Sequence, residues 1–370
     1  MIYSIFSPHF SVSPAIEADL SDVERRRWLI DHMLLMPRHE AWLRREVREI
    51  RARRASGTTQ IEGAKLGEAA VSRLMAQGPG AKPTEDEQAN LNALRAYEFI
   101  DFLSDQRDIP IDELVIREIN RQFMLGAPEL HTPGVYRKGQ NTVGRFNPPD
   151  QGDVPALMRS FALWLRQEDE IHPVVKAGIA HIHLVAIHPF WDGNGRTARG
   201  LATLLLQRSQ FGFRKLLSLE SHLFSNRDSY FTAIERTLGT RFSLDYVATS
   251  WLEFFTLSLA AEVQRLEDNL TDWHRRMQES FDIVETMGLA HRHIDGLVFA
   301  KRAGQITRAD YLEITGVSPV TASRDLAALV KAGLLVPEGK TRSRIYRPAP
   351  RQAQIAAAES TEQLTLLPET

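Results

Sequence analysis

The chain has 370 residues, 43% hydrophobic and 25% charged, which suffices for two or three globular domains. A formal net charge of −2 excludes a molecule-wide polyanion binder, so any nucleic-acid contact must come from a local patch. With no cysteine, disulfides, thiolate metal sites and cysteine nucleophiles are excluded.

The N-terminus, MIYSIFSPHF, has no basic stretch followed by an apolar run, so a signal peptide is not expected. No apolar run approaches the ~20 residues of a membrane span, and the expected location is the cytoplasm. Most of the chain reads as helix. Apolar residues recur at three- and four-residue spacing near 39–55, 86–105, 111–125, 154–169, 173–187, 196–209, 227–238 and 244–290. Residues 58–63, TTQIEG, read on their own as a helix end with an acidic residue and a stopping glycine. Residues 76–86, AQGPGAKPTED, predict a loop. The segment 134–148, GVYRKGQNTVGRFNP, predicts a β-hairpin. In 154–169, Leu157, Phe161, Trp164 and Leu165 share one face. A break near 289–295 leads to short helices and a terminal hairpin, and the residues from Arg351 read as a frayed tail. No internal repeat is visible.

Residues 188–199, HPFWDGNGRTAR, combine two chemistries. Asp192, Gly193, Asn194 and Gly195 form a short loop opening a helix at Arg196. Such a loop presents backbone N–H groups to an anion, and the helix dipole adds to them. Arg196 and Arg199, three apart, are expected on one side, where two guanidiniums suit a triphosphate. Asp192 is the carboxylate for a phosphate-bound magnesium. His188 ends the preceding helix, because Pro189 disfavours α geometry there, and supplies a base for a hydroxyl proton. A Walker-type loop is excluded, since no GK[ST] follows. A zinc set from His181, His183 and His188 is disfavoured, since His181 and His183 diverge on a helix. A buried, hydrogen-bonded His183 is expected instead.

The stretch resembles the Fic signature HxFx[DE]GNGRxxR at His188, Phe190, Asp192, Gly193, Asn194, Gly195, Arg196 and Arg199. The resemblance implies a mainly α protein, with a helical core and hairpin flap over roughly 100–240. It implies that His188 deprotonates a Tyr, Ser or Thr hydroxyl of a target protein, which attacks the α-phosphorus of ATP. Asp192 would hold Mg2+, while Asn194 and the amides of Gly193 and Gly195 would hold the α- and β-phosphates. Arg196 and Arg199 would hold the β/γ end, with pyrophosphate leaving. Phe190 would anchor the core. TTQIEG resembles the family's inhibitory motif [ST]xxxE[GN] through Thr58, Glu62 and Gly63, implying that Glu62 pairs with Arg199 and displaces the γ-phosphate. The 134–148 segment resembles the family flap, with Thr142, Val143 and Gly144 as candidates for pairing with a target strand; an ordinary surface hairpin is the alternative. SNRDSYF, 225–231, resembles the family's adenosine-side segment, with Asn226 and Tyr230 as candidate contacts; simple helix packing of Tyr230 is the alternative.

Residues 306–347 resemble a winged helix-turn-helix. Gly316 makes the turn, a second helix spans 318–332 with Thr321, Ser323 and Arg324, and the hairpin LLVPEGKTRSRIY forms the wing. Residues 289–350 hold ten Lys or Arg against five Asp or Glu, a net of +5 that suits DNA phosphates, though such modules also dock proteins. The expected organisation is an N-terminal helical region with the inhibitory helix (1–100), a catalytic core (101–240), long connecting helices (241–290), the winged helix (291–350) and a tail (351–370). Removal of AMP, and a nucleotide-sensing DNA-binding regulator, stay open beside AMP transfer. A homodimer is allowed for, and no membrane partner is expected.

Overall fold

The computed structural model describes residues 5–35, 40–80, 82–126, 132–168, 170–340 and 344–350. The expected tail, 351–370, and the expected wing tip, 341–343, lie outside the described residues. The elements are α1 (Pro14–Leu34), α2 (Glu40–Ile61), α3 (Glu68–Gln77), α4 (Glu85–Asp105), α5 (Glu113–Phe123), α6 (Val154–Leu165), α7 (Pro173–Ile187) and α8 (Asn194–Arg208). These are followed by α9 (Leu219–Ser225), α10 (Arg227–Leu238), α11 (Thr249–Thr286), α12 (Arg292–Ala303), β1 (Ile306–Thr307), α13 (Arg308–Thr315), α14 (Pro319–Lys331), β2 (Leu335–Glu338) and β3 (Ile345–Pro348). The protein is therefore mainly α with one small sheet. Two compact units divide it, one of Met1–Leu35 with Arg44–Leu266, the other of Met36–Leu43 with Glu267–Thr370.

The first unit is built on α7, which packs most closely against α8. Sequence explains this. Almost every residue of α7 from Val174 to Ile187 is apolar and buried, the pattern of a helix surrounded on all sides. Pro173 at its first turn and the His172 side chain, which accepts the Val174 N–H, start it. Gly178 lets α11 approach: the Trp251 indole donates to the Gly178 carbonyl at 2.7 Å. α4 begins with a capping box between Thr84 and Glu87, and α5 with an Asp112 cap.

α2 is fixed from within. Arg54, 1% exposed, donates to Asp101 Oδ1 at 3.0 Å, to the Leu217 carbonyl at 2.7 Å and to the Lys215 carbonyl at 3.0 Å. Thr59 reaches Asn90 Oδ1 at 3.0 Å. Gly57 lies flat against α9, where a β-carbon would come within 2.8 Å of the Glu220 and Ser221 backbone.

In the second unit, α12, α13 and α14 pack on an antiparallel sheet of order β1-β3-β2. Leu297, Ile306, Tyr311, Leu326, Leu329 and Leu334 form its core. Asp325 of α14, buried, accepts both arms of Arg292 and the Tyr311 hydroxyl, which fixes α14 on its neighbours.

Among the described residues of the first unit, three α-helices were not legible as periodic segments: α1, α3 and α9. α3 and α9 are short, and α1 buries only Ile16, Val23, Ile30 and Leu34 among charged residues. The predicted 134–148 hairpin also shrinks. Within it only Val143 and Phe146 pair with each other, while Tyr136 pairs with Phe190. Pro148 and Pro149 cannot donate to a ladder, and Asn147 turns away to the Thr240–Phe242 backbone.

Gly57→Ala should destabilise the fold by about 1–3 kcal/mol through overpacking against backbone that cannot yield, outweighing a helix-propensity gain of about 1 kcal/mol. A lowered thermal-unfolding midpoint checks this; an unchanged or raised midpoint contradicts it.

Candidate active site

His188 closes α7. Its N–H bonds back to the Leu184 carbonyl at 3.0 Å, and its backbone is left-handed, with φ 49° and ψ 56°. A non-glycine residue there costs about 1–2 kcal/mol, so neighbouring contacts must hold it. Nδ1 lies 3.3 Å from the Val185 carbonyl. A carbonyl only accepts, so Nδ1 carries the proton and Nε2 keeps its lone pair. Burial lowers the His188 pKa to about 4, and the Arg137 charge acts the same way against the opposing Val185 carbonyl, Glu62 and Asp192. The side chain is therefore a neutral imidazole at pH 7.

The loop after His188 is tied shut by its own residues. Asn194, 2% exposed, accepts the Phe190 N–H at 2.9 Å and donates to the Phe190 carbonyl at 2.8 Å. Its side chain is thus a staple within the loop. Gly193 caps α8 at φ 76°, and a β-carbon there would meet Met124 at 2.8 Å. α8 accordingly opens at Asn194, two residues before Arg196. Asn120 of α5, also buried, donates to the Asp192 carbonyl at 3.0 Å and to Thr197 Oγ1 at 3.1 Å, and accepts the Gly134 N–H at 2.9 Å. Sequence reasoning missed Asn120. Its only signal was an amide within the amphipathic pattern of α5.

The two arginines do not share one side. Arg196 turns to the loop mouth, 3.2 Å from Asp192 Oδ1, which also accepts the Gly193 N–H at 2.5 Å. The buried Arg196 Nε–H has no acceptor among the described residues. Arg199 points inward and is 3% exposed. It donates to Thr58 Oγ1 at 2.9 Å, the Thr58 carbonyl at 3.1 Å, Tyr230 Oη at 3.2 Å and Glu62 Oε1 at 2.6 Å. Glu62 Oε1 would also lie 2.7 Å from a β-carbon on Gly195, so the carboxylate sits against the first turn of α8. The spacing of Glu62 from Arg199 along the chain, 137 residues, gave no such hint without the motif.

Tyr230, 1% exposed, is enclosed: its hydroxyl meets Arg199 and, at 3.1 Å, His181 Nε2. It props Arg199 and offers no open ring face for a nucleobase. Asn226 is exposed and donates to the His222 carbonyl at 3.0 Å. Beside it, Arg227 donates to the Ile61 carbonyl at 2.8 Å, tying this segment to the end of α2 one residue before Glu62. His183 is buried with Nδ1 3.0 Å from the Tyr246 hydroxyl, as its position predicts. In the flap, Val143 exchanges both backbone hydrogen bonds with Phe146 at 2.9 Å around Gly144 and Arg145. Thr142, Val143 and Gly144 are all exposed, but Val143 has spent its backbone groups, and an added strand would pair through its neighbours.

Residues 110–206 match the Fic/DOC family model. The chain is 35% identical over 180 residues to protein adenylyltransferase fic-1 of Caenorhabditis elegans, covering 47% of this chain and 35% of that protein. It is 42% identical over 106 residues to protein adenylyltransferase Fic of Drosophila melanogaster, covering 28% of this chain and 21% of that protein. The chain thus spans about a third or less of the length of these curated relatives. A crystal structure of a Fic family protein from Desulfovibrio desulfuricans G20 superposes with a TM-score of 0.64 at 22% identity, covering 94% of this chain and 99% of that one. Fic-1 from C. elegans superposes with a TM-score of 0.57 at 24% identity, covering 70% and 73%. These two likenesses concern the fold. The loop described above lies within the residues that match the Fic/DOC family model.

The His188 ring should titrate near pH 4, well below an ordinary histidine, when followed by NMR. It loses its charge as pH rises through that value. A midpoint near 6.5 would refute the burial argument.

Proposed function

We propose that the chain is a protein adenylyltransferase, moving AMP from ATP to a Tyr, Ser or Thr hydroxyl of proteins, itself included, and that Glu62 restrains it at rest. The observation that carries the reading is the neutral His188 placed directly before a helix-opening loop with a buried, unpaired Arg196 donor. The adenylyltransferase names of the partial relatives support it.

In this reading Nε2 of His188 takes the proton of the target hydroxyl. The oxygen attacks the α-phosphorus, an oxygen–phosphorus bond forms, and the bond to the β-phosphate oxygen breaks. AMP stays on the target and pyrophosphate leaves. The Gly195 amide at the α8 N-terminus would face the phosphates, joined by that of Gly193 once it leaves Asp192 Oδ1. Arg196 offers its Nε–H, and Arg199 can turn one arm toward the β/γ end. Asn226 is the remaining adenosine candidate, with Tyr230 acting through Arg199. The donor set fits magnesium: Asp192 is a half-exposed carboxylate, and this ion takes one or two carboxylates with phosphate oxygens and water. Asp192 would hold Mg2+, which would neutralise phosphate charge.

The Glu62 carboxylate lies against the α8 first turn and on Arg199, the two features a γ-phosphate would use. Like charges cannot share that space, so ATP would bind in a poorly productive pose. The same carboxylate could orient water for the reverse reaction, AMP removal, which is the second reading. The second unit is read as a winged helix-turn-helix in which Ser323 and Arg324, exposed on α14, face DNA. The setting proposed is cytoplasmic, and a homodimer is compatible with it.

Incubation with labelled ATP tests the reading. α-Label should appear on protein and γ-label should not; γ-label on protein would mean phosphorylation. Glu62→Gly should raise transfer severalfold and His188→Ala should abolish it; equal transfer by the parent and the glycine variant removes the restraint from the proposal. The kcat/KM profile should hold down through pH 5 and fall only as His188 gains its proton near pH 4. Release of AMP from pre-labelled protein, without forward transfer, would favour the second reading.

A further inference from the structure

One buried cation at this site has no role in the scheme above. Arg137 is 2% exposed, and among the described residues its guanidinium partners are carbonyl or amide oxygens, none a carboxylate. Nε donates to the His188 carbonyl at 2.9 Å. Nη1 donates to the Gly139 carbonyl at 3.1 Å, with Gln140 Oε1 at 3.4 Å, and Nη2 donates to the Pro149 carbonyl at 2.5 Å. Its own amide donates to the Pro189 carbonyl at 2.9 Å.

The placement is specific. Gly139 and Pro149 bracket the flap, and the left-handed His188 with Pro189 after it forms the turn that presents the imidazole. No carboxylate meets the guanidinium directly, and the Asp150 charge acts on it only from a distance, so its burial is costly. A planar fork with donors in several directions can offset that by engaging three carbonyls at once, which an ammonium on a flexible stem does poorly. Two further contacts close the same joint. Gln140 donates to the Pro148 carbonyl at 3.0 Å, and the Trp191 ring packs on Gly139 so closely that a β-carbon would come within 2.9 Å. The guanidinium thus ties both ends of the flap to the turn that carries the base.

We propose that Arg137 is a positioning residue for the transfer reaction, its guanidinium fixing the spacing between the His188 turn and the flap that holds the target segment. The inference rests on reading His188 as the base and the flap as the target-holding edge. Arg137 touches neither substrate; it acts through the His188 carbonyl and through Gly139 and Pro149. Its loss should therefore weaken use of the protein acceptor while leaving ATP binding intact, since ATP is assigned to the α8 turn, Arg199 and Asn226.

The experiment uses the full chain carrying Glu62→Gly, with a tagged His188→Ala chain as acceptor and α-labelled ATP as donor. Arg137→Gln should raise the acceptor KM and lower kcat, each about tenfold or more, since small misplacements near a reacting group cost up to about a hundredfold. The KM for ATP should stay within about twofold. Arg137→Lys, which keeps the charge and part of the hydrogen bonding, should fall between the two and decides the matter if the Gln variant unfolds. Thermal unfolding is recorded for each. A Lys or Gln variant that folds and matches the parent in both acceptor KM and kcat overturns the proposal, as does an ATP KM that rises in step with the acceptor KM. Undiminished transfer by a Glu62→Gly chain that also carries His188→Ala would sink the base assignment itself, a separate failure.

Discussion

The first unit's site is organised around the buried guanidinium of Arg199. A charge taken out of water costs several kcal/mol unless its donors are met. Here α8 carries the arginine, and its donors are met by Thr58 of α2, by Glu62 one residue past that helix and by Tyr230 of α10. The partners are unequal. Thr58 and Tyr230 are buried, whereas the Glu62 side chain is 39% exposed. Arg199 therefore keeps three hydrogen bonds if the carboxylate leaves, and the pocket has no reason to collapse. On the proposed reading, this asymmetry separates a permanent scaffold from a removable plug.

The same logic runs through the loop before α8. His188 sits in a conformation that most residues avoid, and Pro189 prevents it from relaxing into the helix. Asn194 and Asn120, both buried, spend their amides on backbone groups of the loop and the flap. Few groups are left facing outward: the imidazole Nε2, the Asp192 carboxylate, the first-turn amides and Arg196. Rigidity inside the loop is what leaves these groups aimed in one direction.

Much of this was legible in the chain itself. Long amphipathic helices announced α4 through α8 and α10, because their apolar faces repeat at helical spacing. His188, Asp192, the glycines and the arginines stood within twelve residues and carried a motif. What stayed hidden had physical causes. Which way Arg196 and Arg199 turn depends on an i,i+4 pair for the first and on partners 31 to 141 residues away for the second, not on their spacing of three. Asn194 and Tyr230 looked like ligand contacts, yet both are consumed by packing and internal hydrogen bonds that only the fold supplies. Arg137 stood in the flap motif, but nothing local says that its partners lie on both sides of the flap and beneath His188. The flap's ladder was over-read, since turn formers mark a reversal without guaranteeing pairing.

The anchoring of α2 bears on time as well as on geometry. Arg54, Thr59 and Gly57 lock the body of that helix against α4 and α9, well before Glu62. Undocking it would require breaking a buried ion pair, an event on the slow scale of local unfolding. Swinging one half-exposed carboxylate off Arg199 is a rotamer change, an event of picoseconds to nanoseconds in exposed side chains. A chain restrained in this way would carry no memory of its resting state: on each encounter with nucleotide the competition is settled afresh, by relative affinity and not by a lag.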